Sequence, residues 1–197
     1  MPMNQEVMLR QISSLDNVIG IYHQGTTTDY LFETDQCGEI LSMLDLYRQL
    51  GIPVGIGTHL PEVIEKSENE EWNVDFYLGC MQNARRDRRG EKRGFLSGKT
   101  KAGLVFSPED RPVMLNQMKK VDKPVVAFEI FAGGQMFSGK TEEEKRTTVK
   151  NVYEEVFTAL KPNDFAAIGV FQHDKDQITE NAELYNEWYK EKYGEEK

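Results

Sequence analysis

"PVGIGTHLPEVIEK", residues 53–66, passes from one regular structure into another with almost no loop between them. Its first part, 53–58, is apolar on both faces, as a buried parallel strand is. From 61 to 70 the apolar spacing becomes helical, with Val63 and Ile64 on one side. Just upstream, Gly51-Ile52-Pro53 stops the preceding helix and starts the strand. The stretch is one β-α unit, and His59 stands where its strand ends.

The same unit recurs on both sides. Strands are expected at 18–23 (VIGIYH), 74–80 (VDFYLGC), 124–131 (PVVAFEIF) and 165–171 (FAAIGVF) as well. Helices are expected at 37–50, 61–70, 108–120, 141–160 and 176–192, with a leading helix over 4–13. In the fourth of these five, Val149, Val152, Tyr153, Val156, Phe157 and Leu160 follow the i, i+3, i+4, i+7 rule. Five successive units fit either an open doubly wound sheet or part of a (β/α)₈ barrel. A complete barrel takes about 250 residues, so the chain would be short of one by roughly three units. The expected class is α/β, a parallel (β/α)-barrel type in partial form, as a single domain over 1–197.

At 197 residues with 39% hydrophobic content, the composition supports a packed core rather than disorder. A net charge of −9 repels phosphate at long range, which argues against nucleic acid and anionic membrane surfaces as partners. Cys37 and Cys80 lack a metal-type spacing, and the first sixteen residues are too polar for a signal peptide, so the chain reads as cytoplasmic with reduced thiols. No run approaches the roughly 20 apolar residues of a membrane span.

All three histidines close a strand: His23 after VIGIY, His59 after VGIGT and His173 after AAIGVFQ. Parallel strands put their C-terminal ends on one face, where such folds keep their sites. The three would then stand near Glu129 and Cys80, a set suited to acid–base work or to a divalent metal, although no HxH or HExxH spacing is present. "GQMFSGKT", 134–141, matches a phosphate-binding loop, but Glu142, Glu143 and Glu144 follow it and repel phosphate at that helix terminus. Arg85, Arg86, Arg88, Arg89, Lys92, Arg93, Lys99 and Lys101 make one basic connection, which either binds an anionic ligand or is simply solvated.

Taken in order from about 15 to 190, the segments resemble the C-terminal part of the aldo-keto reductase superfamily. "VIGIYHQG" looks like the strand carrying that family's active-site histidine, which implies a catalytic role for His23. "AFEIFAGGQMFSGK" is similar to the family's segment in which an aromatic stacks on the nicotinamide, here Phe128. "DQITENAEL" is similar to its last barrel helix, with Glu180 and Asn181 towards the adenine. The resemblance implies an NADP-linked oxidoreductase barrel, with Phe128, Glu129, Glu180 and Asn181 towards the cofactor; His59, His173 and Cys80, by their strand-end positions, are expected towards a small-molecule substrate. It also has departures: the family's catalytic aspartate, tyrosine and lysine belong to earlier strands that have no counterpart here. Gly57-Thr58 replaces a Ser-Asn pair, Gly79 a glutamine, and Glu129 a serine near the cofactor phosphates.

Three functions follow. The first is an aldo-keto reductase-like fragment, inactive alone, whose missing strands are supplied by a longer chain or by self-association through exposed strand edges. The second is an isomerase, lyase or hydrolase of barrel type, metal-dependent or acid–base, that uses His23, His59, His173 and Glu129. The third is a non-catalytic binding module.

Overall fold

The computed structural model describes residues 5–86, 90 and 107–194. Strands β1 (Ile21–His23), β2 (Val54–Thr58), β3 (Phe76–Cys80), β4 (Val125–Phe128) and β5 (Phe165–Ala166) pair in chain order, each parallel to the next. A doubly wound sheet reverses its order at a switch point, whereas a barrel does not. Sequential order therefore decides for a partial α/β-barrel-like topology. Among the described residues β1 and β5 are the two edges of this sheet.

The helices are α1 (Gln5–Ser13), α2 (Gly25–Glu33), α3 (Cys37–Arg48), α4 (Pro61–Asn69), α5 (Asp110–Met118), α6 (Glu142–Phe157) and α7 (Gln177–Tyr193). A 3₁₀ segment spans Ala132–Phe137. Helix α2 falls in a stretch between the expected strand at 18–23 and the expected helix at 37–50 to which the sequence reading assigns no element. The strands are shorter than expected at 18–23, 124–131 and 165–171. Glu129 ends β4 because its φ of 56° leaves the extended region.

Side chains alternate across the sheet. Ile56, Tyr77, Val125 and Ala127 are buried on the helix-covered face, where Gly79 lets α5 approach so closely that a Cβ would meet Met114 Sδ at 3.2 Å. The other set, Tyr22, Phe76, Leu78, Val126 and Phe128, is at most half-buried. On that face Phe76 fills the space above Gly55, where a Cβ would sit 2.5 Å from its ring.

At the N-terminal end of the sheet one device appears twice. Asp75, just before β3, accepts from the first N–H of β2 (Val54, 2.7 Å), and Asp164, just before β5, accepts from that of β4 (Val125, 2.9 Å). Each satisfies an orphan donor at a strand start and fixes the stagger of the sheet. Behind β4 and β5, fully buried Tyr153 of α6 sits among the rings of Phe131, Phe157, Tyr185 and Trp188, joining α6 to α7.

Helix α6 starts at a reciprocal cap: Thr141 Oγ1 accepts from Glu144 N, and the Glu144 carboxylate accepts from Thr141 N at 2.7 Å. The terminus that a phosphate-binding loop would offer is thus partly occupied by the chain's own carboxylate. Of the basic connection, Arg85 forms a buried 2.5 Å ion pair with Glu33 and Arg86 pairs with Asp110. Arg88, Arg89, Lys92, Arg93, Lys99 and Lys101 lie outside the described residues. No described helix is long and apolar enough to cross a membrane.

Candidate functional site

The site is assembled where β2 and β3 end. After β1, the Gln24 side chain caps α2 by accepting from Thr27 N at 2.9 Å. Gly25 then brings the first turn of α2 onto β2: a Cβ there would lie 3.2 Å from the Gly57 carbonyl carbon and 3.3 Å from Thr58 N. Only a residue without a side chain fits this approach comfortably. Its consequence is that Asp29, one turn further on, reaches the end of β2.

Asp29 is wholly buried. Its carboxylate accepts from Thr58 Oγ1 at 2.5 Å, from His59 N at 3.2 Å and from His59 Nδ1 at 2.6 Å. These charge-assisted bonds hold an anion that would otherwise be costly to bury. They also fix the imidazole, because Nδ1–H must be the donor to a carboxylate.

His59 and Cys80, the last residue of β3, line the same small cleft, and with Nδ1 engaged by Asp29 the ring nitrogen left to serve that cleft is Nε2. Burial by itself would lower the His59 pKa. The hydrogen bond and negative charge of Asp29, together with Cys80 beside the ring, outweigh it and hold the ring up at about 10. Among the described residues no group of three His, Cys, Asp or Glu converges as a metal ion would need.

The other histidines have separate settings. His23 is buried, shares a 2.7 Å hydrogen bond between Nδ1 and Thr28 Oγ1, and is pushed down to about 4 by burial, so its ring is neutral at pH 7. His173 is exposed, stacks on Phe171 and meets Asp174 at 2.6 Å. Neither has a hydrogen bond to His59 among the described contacts. Of the expected site residues, the structure thus brings together His59, Cys80 and Phe128, whose ring stands edge-on to His59 with centroids 6.0 Å apart.

Phe128 also lines a cavity of about 710 Å³ formed by the ends of β4 and β5, the 3₁₀ segment, α6 and α7. Glu129, Glu180 and Asn181 line the same cavity, so the four residues assigned to a cofactor by resemblance share one space. The fit to a dinucleotide is poor. The cavity lining sets Glu129, Glu142 and Glu180 against Lys145, Arg146 and Lys175, and each of these cations is already paired, with Glu142, Glu187 and Glu180 respectively, rather than left for a pyrophosphate. The Asn181 side chain is engaged as well, donating to Gln177 O and accepting from Tyr153 Oη.

Sequence reasoning missed Asp29. It lies in GTTTDYLFE, whose three threonines hide a helix, and the His59 it orients is thirty residues away. No short spacing announces such a pair. No protein-family model, curated protein or solved structure matches the chain.

Proposed function

We propose that this chain is an acid–base enzyme of the α/β-barrel class, an isomerase, lyase or hydrolase in which His59 moves the proton and Asp29 positions and charges it. One observation carries the reading: wholly buried Asp29 lies 2.6 Å from His59 Nδ1 at the C-terminal end of β2. A carboxylate fixing one ring nitrogen leaves the other aimed at reacting atoms, which is the division of labour of an oriented general acid–base. Phe128 links the ring to the larger cavity, which has the size of a small-molecule site.

The test is proton exchange in D₂O. Small ketoses, 2-oxo acids and hydroxy acids are incubated with the protein, and substrate deuterium is read by NMR. Incorporation by the wild type that disappears in His59→Asn supports the reading. Incorporation or turnover that survives His59→Asn contradicts it.

A second reading, an NADP-linked reductase of the aldo-keto type, is favoured by the single cavity shared by Phe128, Glu129, Glu180 and Asn181. The cavity's cations weigh against it, because Lys145, Arg146 and Lys175 are each already paired with a carboxylate. Saturable quenching in a fluorescence titration with NADPH supports this second reading, and no binding by the folded chain removes it. In either reading the sheet edges are a surface for self-association, since Ile19, Tyr22, Phe165 and Phe171 are exposed beside β1 and β5. Light scattering across a concentration series reads that directly.

A further inference from the structure

We propose that Cys80 is a nucleophile, adding as the thiolate to the carbonyl carbon of a small neutral aldehyde while His59 gives its Nε2 proton to the oxygen. This inference rests on the reading of His59 as the acid–base group of the site.

The geometry supplies each part. Cys80 ends β3 and lines one cleft with His59, which is held in turn by Asp29, so a nucleophile, a proton carrier and an orienting carboxylate meet at one place. Cys80 is only 2% exposed, but it lines a cleft of about 110 Å³ together with His59, Asn83, Arg86, Asp110 and Met114. The first residues of α4 and α5, Pro61 and Asp110, also border this cleft, so two positive helix ends face it.

The cleft also limits the electrophile. At roughly 30 Å³ for each water-sized group, it holds about three or four heavy atoms. Among the described residues, the charged groups facing His59 and Cys80 are Asp29 from α2, Glu62 from α4, Asp110 from α5 and Arg86, which is already paired with Asp110. That surplus of carboxylates disfavours an anionic substrate end and selects a neutral one.

The step balances within the pair. The sulfur lone pair forms the S–C bond, the C=O π pair moves to oxygen, and that oxygen takes the Nε2 proton. The products are a hemithioacetal and a neutral imidazole. No leaving group, oxidant or further reactant is consumed.

Two measurements on the intact chain test this. In the first, [1-¹³C]acetaldehyde is added and the ¹³C spectrum recorded. A saturable hemithioacetal signal is expected in the wild type and in no folded Cys80→Ser sample, where Cys37 remains as an internal control. The second needs no variant: iodoacetamide alkylation at pH 7 is followed by peptide mass spectrometry. Cys80 is expected to react about tenfold or more faster than Cys37, although Cys37 is the more exposed. A Cys80 slower than Cys37, or no adduct on folded wild type, overturns the proposal. If His59 nevertheless stays protonated well above its ordinary range, the acid–base reading stands and only the nucleophile is lost. If His59 titrates near its ordinary value, both fall together.

Discussion

Asp29 Oδ2 and His59 Nδ1 are 2.6 Å apart, and they come from different β-α units, one from the helix after β1 and the other from the end of β2. The contact therefore exists only when α2 is seated on the sheet. It ties the charge state of the site to the packing of the fold, because Asp29 has no exposure of its own with which to recruit water. Removing one partner of such a pair strands the other, and the penalty is larger than the net worth of the pair.

Asp29→Ala leaves His59 N and His59 Nδ1 without their acceptor, and Thr58 Oγ1 with only the 3.2 Å bond to Leu60 O. The expected loss of stability is about 3–5 kcal/mol, read from urea unfolding. The isosteric Asp29→Asn keeps the shape and should cost less. A loss below about 1 kcal/mol for the alanine variant would show that the pair is not seated as described.

Gly25→Ala tests the seating itself. The added Cβ meets the Gly57–Thr58 peptide of β2, Gly57 C at 3.2 Å and Thr58 N at 3.3 Å, and backbone yields less readily than a side chain. The expected cost is about 1–3 kcal/mol, accompanied by a fall in the His59 pKa as α2 lifts and Asp29 withdraws. Gly38, with nothing near its Cβ position, is the control, and Gly38→Ala in α3 should be neutral or stabilising.

Stability should fall on both sides of neutrality, for opposite reasons. His59, raised to about 10, binds its proton more tightly when folded, so its contribution is complete below about 6.5 and is lost as pH rises towards 10. His23, lowered to about 4, is folded as the neutral ring, so stability is lost as pH falls from about 6.5 towards 4. Thermal midpoints of wild type, His23→Gln and His59→Asn across this range separate the two limbs. Each variant should flatten its own limb and leave the other.

Tyr153→Ala empties the centre of the ring cluster joining α6 and α7, and should cost about 3–5 kcal/mol. Tyr153→Phe keeps the ring and gives up only the long hydroxyl contacts to Asn181, so its cost should stay near 1 kcal/mol. Both are read from the same unfolding curves.

The β-α alternation was legible because buried parallel strands and amphipathic helices have distinct periods, and β2 with α4 lies close to where 53–66 places them. Strand order was not, since pairing is a long-range property; sequential neighbours such as Gly55 and Phe76 settle it only in three dimensions. Of the site, His59, Cys80 and Phe128 were visible as strand-end residues. Asp29 was not, because its threonine-rich helix forms through the Gln24 cap and the close approach at Gly25 rather than through intrinsic propensity. His23 and His59 look alike in sequence, each closing an apolar run. Burial against Thr28 makes one neutral, and a buried carboxylate makes the other a cation.

The most direct measurement is a ¹⁵N-imidazole NMR titration of His59 in the wild type and in Asp29→Asn. A ring that stays charged far above the usual histidine range, with Nδ1–H hydrogen-bonded, and that returns towards about 6.5 in Asp29→Asn, is the result the site described here requires. A wild-type His59 that titrates near 6.5, unmoved by the substitution, would contradict it.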